Sequence, residues 1–253
     1  MSNVQSLERA LTLLNVLSDY PDGIQITRLS DQVGLSKSTT HRLLSTLLNM
    51  NYVVKDGETE KYKLGYQLIY LSRNILSNVT VIQIARPFLE KLSEDVNETI
   101  HLCIEDKGQV MYVDKIESNQ TIRMYSRIGS KAPMYCTGVG KILLSGMSEA
   151  EYEEAVSKID FISKTAKTIT TKEGLKEEVE TVKKQGYALD NIENEEDIRC
   201  IAVPIWDFQG KVIASFSISG PSNRVSMERV NDELVKKARD TSINISRHLG
   251  YRD

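Results

Sequence analysis

Few cysteines, few histidines and no long apolar run restrict what this 253-residue chain can be. Cys103, Cys136 and Cys200 are odd in number and far apart, with no C-x-x-C among them. That is neither a disulfide framework nor a zinc knuckle, and it suits free thiols in a reducing cytosol. The histidines, His41, His101 and His248, are equally scattered. His101 and Cys103 stand two apart on a probable strand, hence on one face, but a metal site needs more ligands than that. A satisfied, partly buried histidine beside a small core thiol is the plainer expectation, and neither a metal nor a cofactor is expected. No segment approaches the length of a membrane span, and no charged-then-apolar leader follows Met1, so a cytoplasmic protein with no membrane partner is expected. Phosphate-loop and metal signatures are missing, and His101 and Asp190 have no clear nucleophile partner in sequence, so no enzyme is expected. A basic excess is missing too: the net charge is −3, with seven Lys/Arg against seven Asp/Glu in the first 64 residues. Any contact with nucleic acid must therefore be local, and a neutral module making few phosphate contacts binds weakly alone, which argues for a dimer or higher assembly.

The most telling absence is local. Between Asp31 and Asp56 there is no Asp or Glu, although 35 of the 253 residues are acidic and chance would put about three there; a surface that approaches phosphates excludes carboxylates. What fills the gap is a helix-turn-helix pattern. Thr27 is placed to cap a short helix carrying Leu29 and Val33 inward, and Gly34 ends it, because glycine tolerates the left-handed conformation of a helix end. Ser36 caps a second helix. On that helix Thr40, Leu43, Leu44, Leu47 and Leu48 share one side, while Ser38, His41, Arg42, Ser45 and Asn49 share the other. Tyr52–Lys55 and Tyr62–Leu64 read as the strands of a wing, with Asp56-Gly57 as a hairpin signal. The candidate DNA contacts are Ser36, Lys37, Ser38, Thr39, His41, Arg42 and Ser45 from the helix, and Lys55, Lys61 and Lys63 from the wing. Glu58 and Glu60 must then point away. Leu7, Ala10, Leu11, Leu14 and Leu17 are expected to form the core stripe of a preceding helix.

The length suits two domains. Residues 1–64 read as the winged helix-turn-helix, residues 65–79 as a linker helix whose wide apolar arc (Leu68 to Leu76) calls for a partner helix, and residues 80–253 as a larger α+β domain. In the latter, Val81–Val96 is helical with Pro87 inside, either kinked or restarted there. Strands are expected over Thr99–Glu105, Val110–Ile116, Thr121–Ser126, Tyr187–Asn191, Cys200–Ile205 and Lys211–Ser219. Helices are expected after the capping box Ser148–Glu151, over Thr171–Gln185 up to Gly186, and from Ser226 to about Leu249.

Two features point to a ligand. On the strand Lys211–Ser219, Val212, Ala214, Phe216 and Ile218 share one face, while Ser215, Ser217 and Ser219 share the other with Ile213. Buried serines want partners. Cys200, Ala202 and Pro204 form a small-walled neighbouring face, and Asp190 ends another strand. Such walls suit a small polar ligand. Thr137-Gly138-Val139-Gly140 opens an apolar helix whose free N–H groups attract anions.

Several segments together give the chain a family resemblance along nearly its whole length. They are Ser6–Leu11 with the Ser36–Leu44 helix, Ala132–Lys141, Arg199–Pro204, Gly210–Val212 and Ser217–Pro221. The chain resembles bacterial IclR-type transcription regulators, departing from them at Tyr135-Cys136, where His-Ala is commoner. The resemblance implies a winged-helix reader of double-stranded operator DNA, joined by a helix to a GAF-like effector domain with an antiparallel sheet flanked by helices. It implies homodimers, often paired into tetramers, and small organic-acid or aromatic effectors. It places Asp190, Cys200, Ser217 and Ser219 in the pocket wall near the Gly138 loop, with Thr137 and Val139 at the same helix start. The expected function is transcriptional regulation, as a repressor of a catabolic operon answering to a small organic acid. The alternative is a thiol-sensing regulator using Cys136 or Cys200.

Overall fold

The computed structural model describes residues 4–71, 81–121 and 126–252. The chain divides into two compact units, Met1–Val79 and Thr80–Asp253, each with its own core.

In the first unit, α1 (Gln5–Ser18), α2 (Ile26–Gln32) and α3 (Lys37–Asn49) precede a hairpin of β1 (Val53–Lys55) and β2 (Tyr62–Leu64). Leu13, Leu17, Leu29, Leu44 and Val53 meet in the centre. Two expectations need correcting here. Leu13 faces inward on α1 together with the expected Leu17, whereas Leu7 is 58% and Leu11 52% exposed, so this helix carries a second apolar stripe facing outward. Thr27 does not cap α2. The cap position is Gln25, because Ile24 exchanges backbone hydrogen bonds with Tyr62 (3.1 and 2.9 Å), holding the chain extended until Ile26. Gly34 does adopt the left-handed conformation (φ 64°), and Ser36 does cap α3, its hydroxyl accepting from the Thr39 N–H at 3.3 Å. Residues 67–71 are helical. Ile75, Leu76 and the rest of the expected linker helix lie outside the described residues.

The second unit is built on one antiparallel sheet in the order β5-β4-β3-β8-β7-β6. Its strands are β3 (Thr99–Asp106), β4 (Gln109–Ile116), β5 (Lys131–Ala132), β6 (Ala188–Asn191), β7 (Ile198–Trp206) and β8 (Val212–Pro221). One face carries Ile100, Leu102, Ile201, Val203, Phe216 and Ile218. It packs against α4 (Val81–Val96) and the C-terminal helical run, which comprises α8 (Met227–Arg229), a π-helical turn (Val230–Leu234) and α9 (Val235–His248). Pro87 sits inside α4, which continues through it. The buried Glu98 ties the start of β3 to Arg224 in the turn after β8 (2.8 Å) and to Arg229 of α8 (3.1 Å). The other face is covered by α5 (Gly138–Ser145), α6 (Glu149–Ser157) and α7 (Lys172–Gln185). The capping box of α6 and the left-handed Gly186 (φ 71°) that ends α7 are both present. The fold is thus α+β, with helices on both faces of an antiparallel sheet.

The strand β8 departs from simple alternation near its start. Ala214 pairs with Ile205 and Val212 with Trp206, so Ile213 is an extra residue. This bulge puts Val212 on the α5 face and Ile213 on the opposite one, the reverse of what strict alternation predicts. From Ala214 onward the expected alternation holds. The strand expected at Thr121–Ser126 falls largely on residues 122–125, outside the described residues.

Candidate functional site

The first unit presents α3 as an outward helix. Lys37, Ser38, His41 and Arg42 are exposed, and Thr39 and Ser45 are half-buried. The hydroxyls of Ser38 and Thr39 lie 3.1 and 2.9 Å from that of Ser36, and the Ser45 hydroxyl donates to the His41 carbonyl at 2.9 Å. Lys37, Ser38 and His41 come together with Lys55, Glu60 and Tyr62 around one open cleft between α3 and the hairpin. Lys61 and Lys63 lie elsewhere, their stems packed around Gly23, where a Cβ would sit 2.9 Å from Lys63 Cγ.

The wing differs from its sequence reading in one way. Glu60 does not point away from Lys55 but forms an ion pair with it, which raises the Lys55 pKa. Asp56-Gly57 opens the hairpin connection, as expected. The connection runs from 56 to 61, because the Asp56 carboxylate accepts from the N–H groups of Glu58 (3.1 Å) and Thr59 (2.8 Å) and from the Thr59 hydroxyl. The left-handed residue there is Glu60 (φ 58°). Thr59's donations hold the Asp56 carboxyl below its ordinary range.

In the second unit a cavity of about 250 Å³ opens between the serine-bearing sheet face and the start of α5. It gathers Ser217 and Ser219 from β8, Cys200 from β7, Asp190 from β6, and Thr137, Gly138 and Val139 from the helix start. Strand register explains the convergence: Cys200 pairs with both Ser219 and Asp190, and Ser217 with both Ala202 and His101. Gly138 lets the helix approach this closely, since a Cβ there would stand 3.1 Å from the Ala202 Cβ and 3.3 Å from the Asp190 nitrogen. Gly140 is tighter still, its Cβ position only 2.3 Å from the Met134 oxygen. The Thr137 hydroxyl donates to the Pro133 carbonyl (2.7 Å) and accepts from the Gly140 N–H (3.2 Å). The remaining first-turn N–H groups belong to Gly138 and Val139, which line the cavity.

The cavity floor is a chain of polar groups. The Ser217 and Ser219 hydroxyls are 3.0 Å apart. His101 Nδ1 lies 3.2 Å from the Ser219 hydroxyl and Nε2 lies 2.6 Å from that of Ser126. Burial, aided by the nearby Lys115 charge, lowers the His101 pKa to about 3, so the ring is neutral at pH 7. Burial raises the Asp190 carboxyl to about 7, against the lowering effect of the Glu193 and Asn194 N–H donors at 2.8 and 3.3 Å. Behind the wall, the fully buried Lys141 on α5 donates to Glu193 (2.8 Å) and Glu178 (2.9 Å). Sequence reasoning named Lys141 only as part of a motif. Its burial has no sequence signal of its own, since lysine is rarely buried unless paired.

The thiols are placed for packing. Burial pushes the Cys136 thiol up to about 12 and raises those of Cys200 and Cys103 as well, which disfavours the reactive thiolate. Tyr135 and Cys136, where the sequence departs from the resembled pattern, are not in the cavity wall. The Tyr135 hydroxyl donates to the Ile162 carbonyl (2.8 Å) and accepts from the Ile162 N–H (3.1 Å). The Cys136 sulfur donates to Asn194 at 3.6 Å. No helix among the described residues is long and apolar enough to cross a membrane.

The first unit is a winged helix-turn-helix and the second holds a small cavity, and comparisons with known proteins bear on both parts. Residues 6–57 match the model of the IclR helix-turn-helix domain, and residues 73–247 that of the bacterial transcriptional regulator IclR C-terminal domain. The HTH-type transcriptional regulator KdgR of Escherichia coli is 40% identical over 251 residues, covering 99% of this chain and 95% of that protein. The crystal structure of Thermotoga maritima IclR is 32% identical with a TM-score of 0.66, covering 98% of this chain and all of the other. That of the Agobacterium tumefaciens repressor BlcR is 25% identical with a TM-score of 0.83, covering each chain in full. The chain belongs to the IclR family of bacterial transcriptional regulators. It is a DNA-binding regulator, and the family is one of transcription regulators rather than enzymes.

Proposed function

We propose that this regulator is a repressor of a catabolic operon, released or engaged by a small organic acid bound in the cavity of the second unit. The observation that carries this reading is the convergence of Thr137, Gly138, Val139, Asp190, Cys200, Ser217 and Ser219, from four separate elements, on one small polar cavity. The Gly138 and Val139 N–H groups meet a carboxylate, as helix starts favour anions. The Ser217 and Ser219 hydroxyls hold other oxygens of the ligand. Asp190 accepts from a ligand hydroxyl or, where ionised, repels a second carboxylate and so narrows the choice of ligand. The ligand acts only by binding the DNA-competent and DNA-incompetent states unequally.

In the first unit, α3 enters the major groove with Ser38, His41 and Arg42 toward base edges, and Ser36, Lys37, Thr39 and Ser45 along its flank. Lys55, Lys61 and Lys63 serve phosphates, Lys55 after exchanging Glu60 for phosphate oxygens. The outward Leu7 and Leu11 of α1, with the exposed Ile69, Tyr70 and Leu71, support a homodimer through the first units, open to pairing into a dimer of dimers. A protein that reads operator DNA works in the cytoplasm. The 1–64, 65–79 and 80–253 division remains our working domain map. No observation favours thiol sensing, since burial raises all three thiols. The test is direct. The metabolite retained by the protein is identified by native mass spectrometry, then titrated against the Ser217→Ala, Ser219→Ala double variant. Loss of the effector response is expected, and a response at the wild-type effector concentration places the pocket elsewhere.

A further inference from the structure

The cavity wall holds one feature that the serine strand and helix start do not account for. Two lysines line it, Lys131 and Lys164. Lys131 is neutralised by Asp106 at 2.6 Å. Lys164 has no carboxylate partner among the described residues; its ammonium donates to the side-chain carbonyl of Asn194 at 2.9 Å. Its segment is irregular but hydrogen-bonded to the turn after β6. The Thr165 hydroxyl donates to the Ile192 carbonyl (2.7 Å) and the Thr168 hydroxyl to the Glu193 carbonyl (2.6 Å). The Lys164 and Thr165 N–H groups both donate to the Thr168 hydroxyl, at 3.0 and 2.9 Å. Two residues before Lys164, Tyr135 clasps both backbone groups of Ile162. The segment is thus stitched to the 190–195 turn that carries Asp190 and Asn194.

We propose that Lys164 is the cationic anchor for the anionic end of the ligand, with Tyr135, Thr165 and Thr168 as positioning residues that hold it at the cavity. This rests on the cavity being the effector site. Asp190 and Glu195 also line the cavity, so an anion entering without a cation would meet Glu195, an Asp190 carboxyl that burial leaves only partly ionised at pH 7, and the neutral His101. Lys164 supplies the opposing charge. Its hydrogen bond to a neutral amide leaves that charge uncancelled, whereas the pair with Asp106 cancels that of Lys131. The same charge acts inward on Cys136, where it partly offsets the effect of burial. The ligand is therefore a small monoanion whose carboxylate lies between Lys164 and the Gly138–Val139 helix start. Its oxygens at the other end face Ser217 and Ser219. A neutral amide of the same shape is a poor ligand.

Cys200 lies in the cavity wall and serves as a built-in reporter that needs no identified effector. The full chain is alkylated in parallel with iodoacetate and iodoacetamide at one alkaline pH and low salt, and Cys200 labelling is followed by peptide mass spectrometry. The ratio of the two rates cancels the thiolate fraction and general access, leaving the preference for negative charge. Lys164→Met should lower the anionic-to-neutral ratio on the order of fivefold, the effect of one partly screened charge at close range. Lys164→Arg should restore it, and added salt should shrink the difference. Lys131→Met should change it less. Lys164→Gln is a second neutral variant for comparison. A ratio unchanged in Lys164→Met, or lowered mainly in Lys131→Met, overturns the anchor while leaving the cavity reading intact. Burial raises the Cys200 and Cys103 thiols alike, and Cys103 does not line the cavity, so Cys103 is the internal control. A wild type in which neither reagent labels Cys200 faster than Cys103 means small solutes do not enter, and the cavity reading and the anchor fall together.

Discussion

Two buried titratable groups in the cavity have opposite sensitivities to pH. Asp190, raised from 3.8 to about 7, keeps its proton in the fold where the unfolded chain releases it. Its stabilising contribution is complete below about pH 3.8 and lost as the pH rises through about 7. His101, lowered from 6.5 to about 3, contributes above about pH 6.5 and loses that contribution as the pH falls toward 3. Between these limits the two slopes oppose each other. Asp190→Asn removes one of them. Relative to wild type the variant should gain stability as the pH is raised from 4 to 7, by up to about 4 kcal/mol at about 1.4 kcal/mol per pH unit. Melting temperatures across that range check this, and a difference independent of pH contradicts it. Arg42 carries the residue-scale prediction for DNA. It is exposed on α3, and arginine reads guanine through two bonds, so Arg42→Ala should weaken operator binding by about 1–3 kcal/mol. Equal affinity of mutant and wild type in a mobility-shift titration removes α3 from the groove.

At the scale of elements, α5 does more than present its N-terminus. Lys141 sits one turn into it, fully buried, and holds Glu193 at 2.8 Å. Glu193 in turn accepts from the Asn191 N–H, and its own N–H donates to Asp190, so one lysine braces the strand end and turn behind the cavity. Lys141→Met keeps the volume but strands two carboxylates, one of them buried. Breaking such a pair by removing one partner costs about 3–5 kcal/mol, a loss that urea unfolding should register. A loss below about 1 kcal/mol would mean that Glu193 finds water instead. The serine face was legible from alternation along β8, and Gly34, Ser36, Gly186 and the α6 capping box from local chemistry alone. The bulge at Ile213 was not legible, because it depends on how β7 and β8 pair around Trp206. Nor was the cap of α2, which a bridge between Ile24 and Tyr62, 38 residues apart in sequence, moved to Gln25.

For the whole molecule, the exposed stripe of Leu7 and Leu11 and the apolar residues around Ile69 call for a second copy. Sedimentation at micromolar concentration should show a dimer or larger species, and its operator should consist of two half-sites separated by whole helical turns. A monomer that still binds its operator specifically rules this out. Leu11→Glu should lower the assembly state and weaken operator binding together, because each first unit alone carries seven basic against seven acidic residues over positions 1–64.

The chain by itself determined the helix-turn-helix, the α+β class and the residues that line the cavity, and its motifs carried the family resemblance. The first three rest on short-range rules: capping, alternation of period two, a helix stripe and the exclusion of acids from one stretch. Tertiary structure decided which of two leucine stripes on α1 is the core, that Glu60 closes on Lys55, and that Tyr135 and Cys136 leave the cavity. It also decided that Lys141 is buried and that Lys164 lines the cavity. Apart from Lys55 and Glu60, which are five residues apart, each of these depends on a partner tens of residues away, and the charge or burial of a side chain is set by what folds against it rather than by its neighbours in sequence.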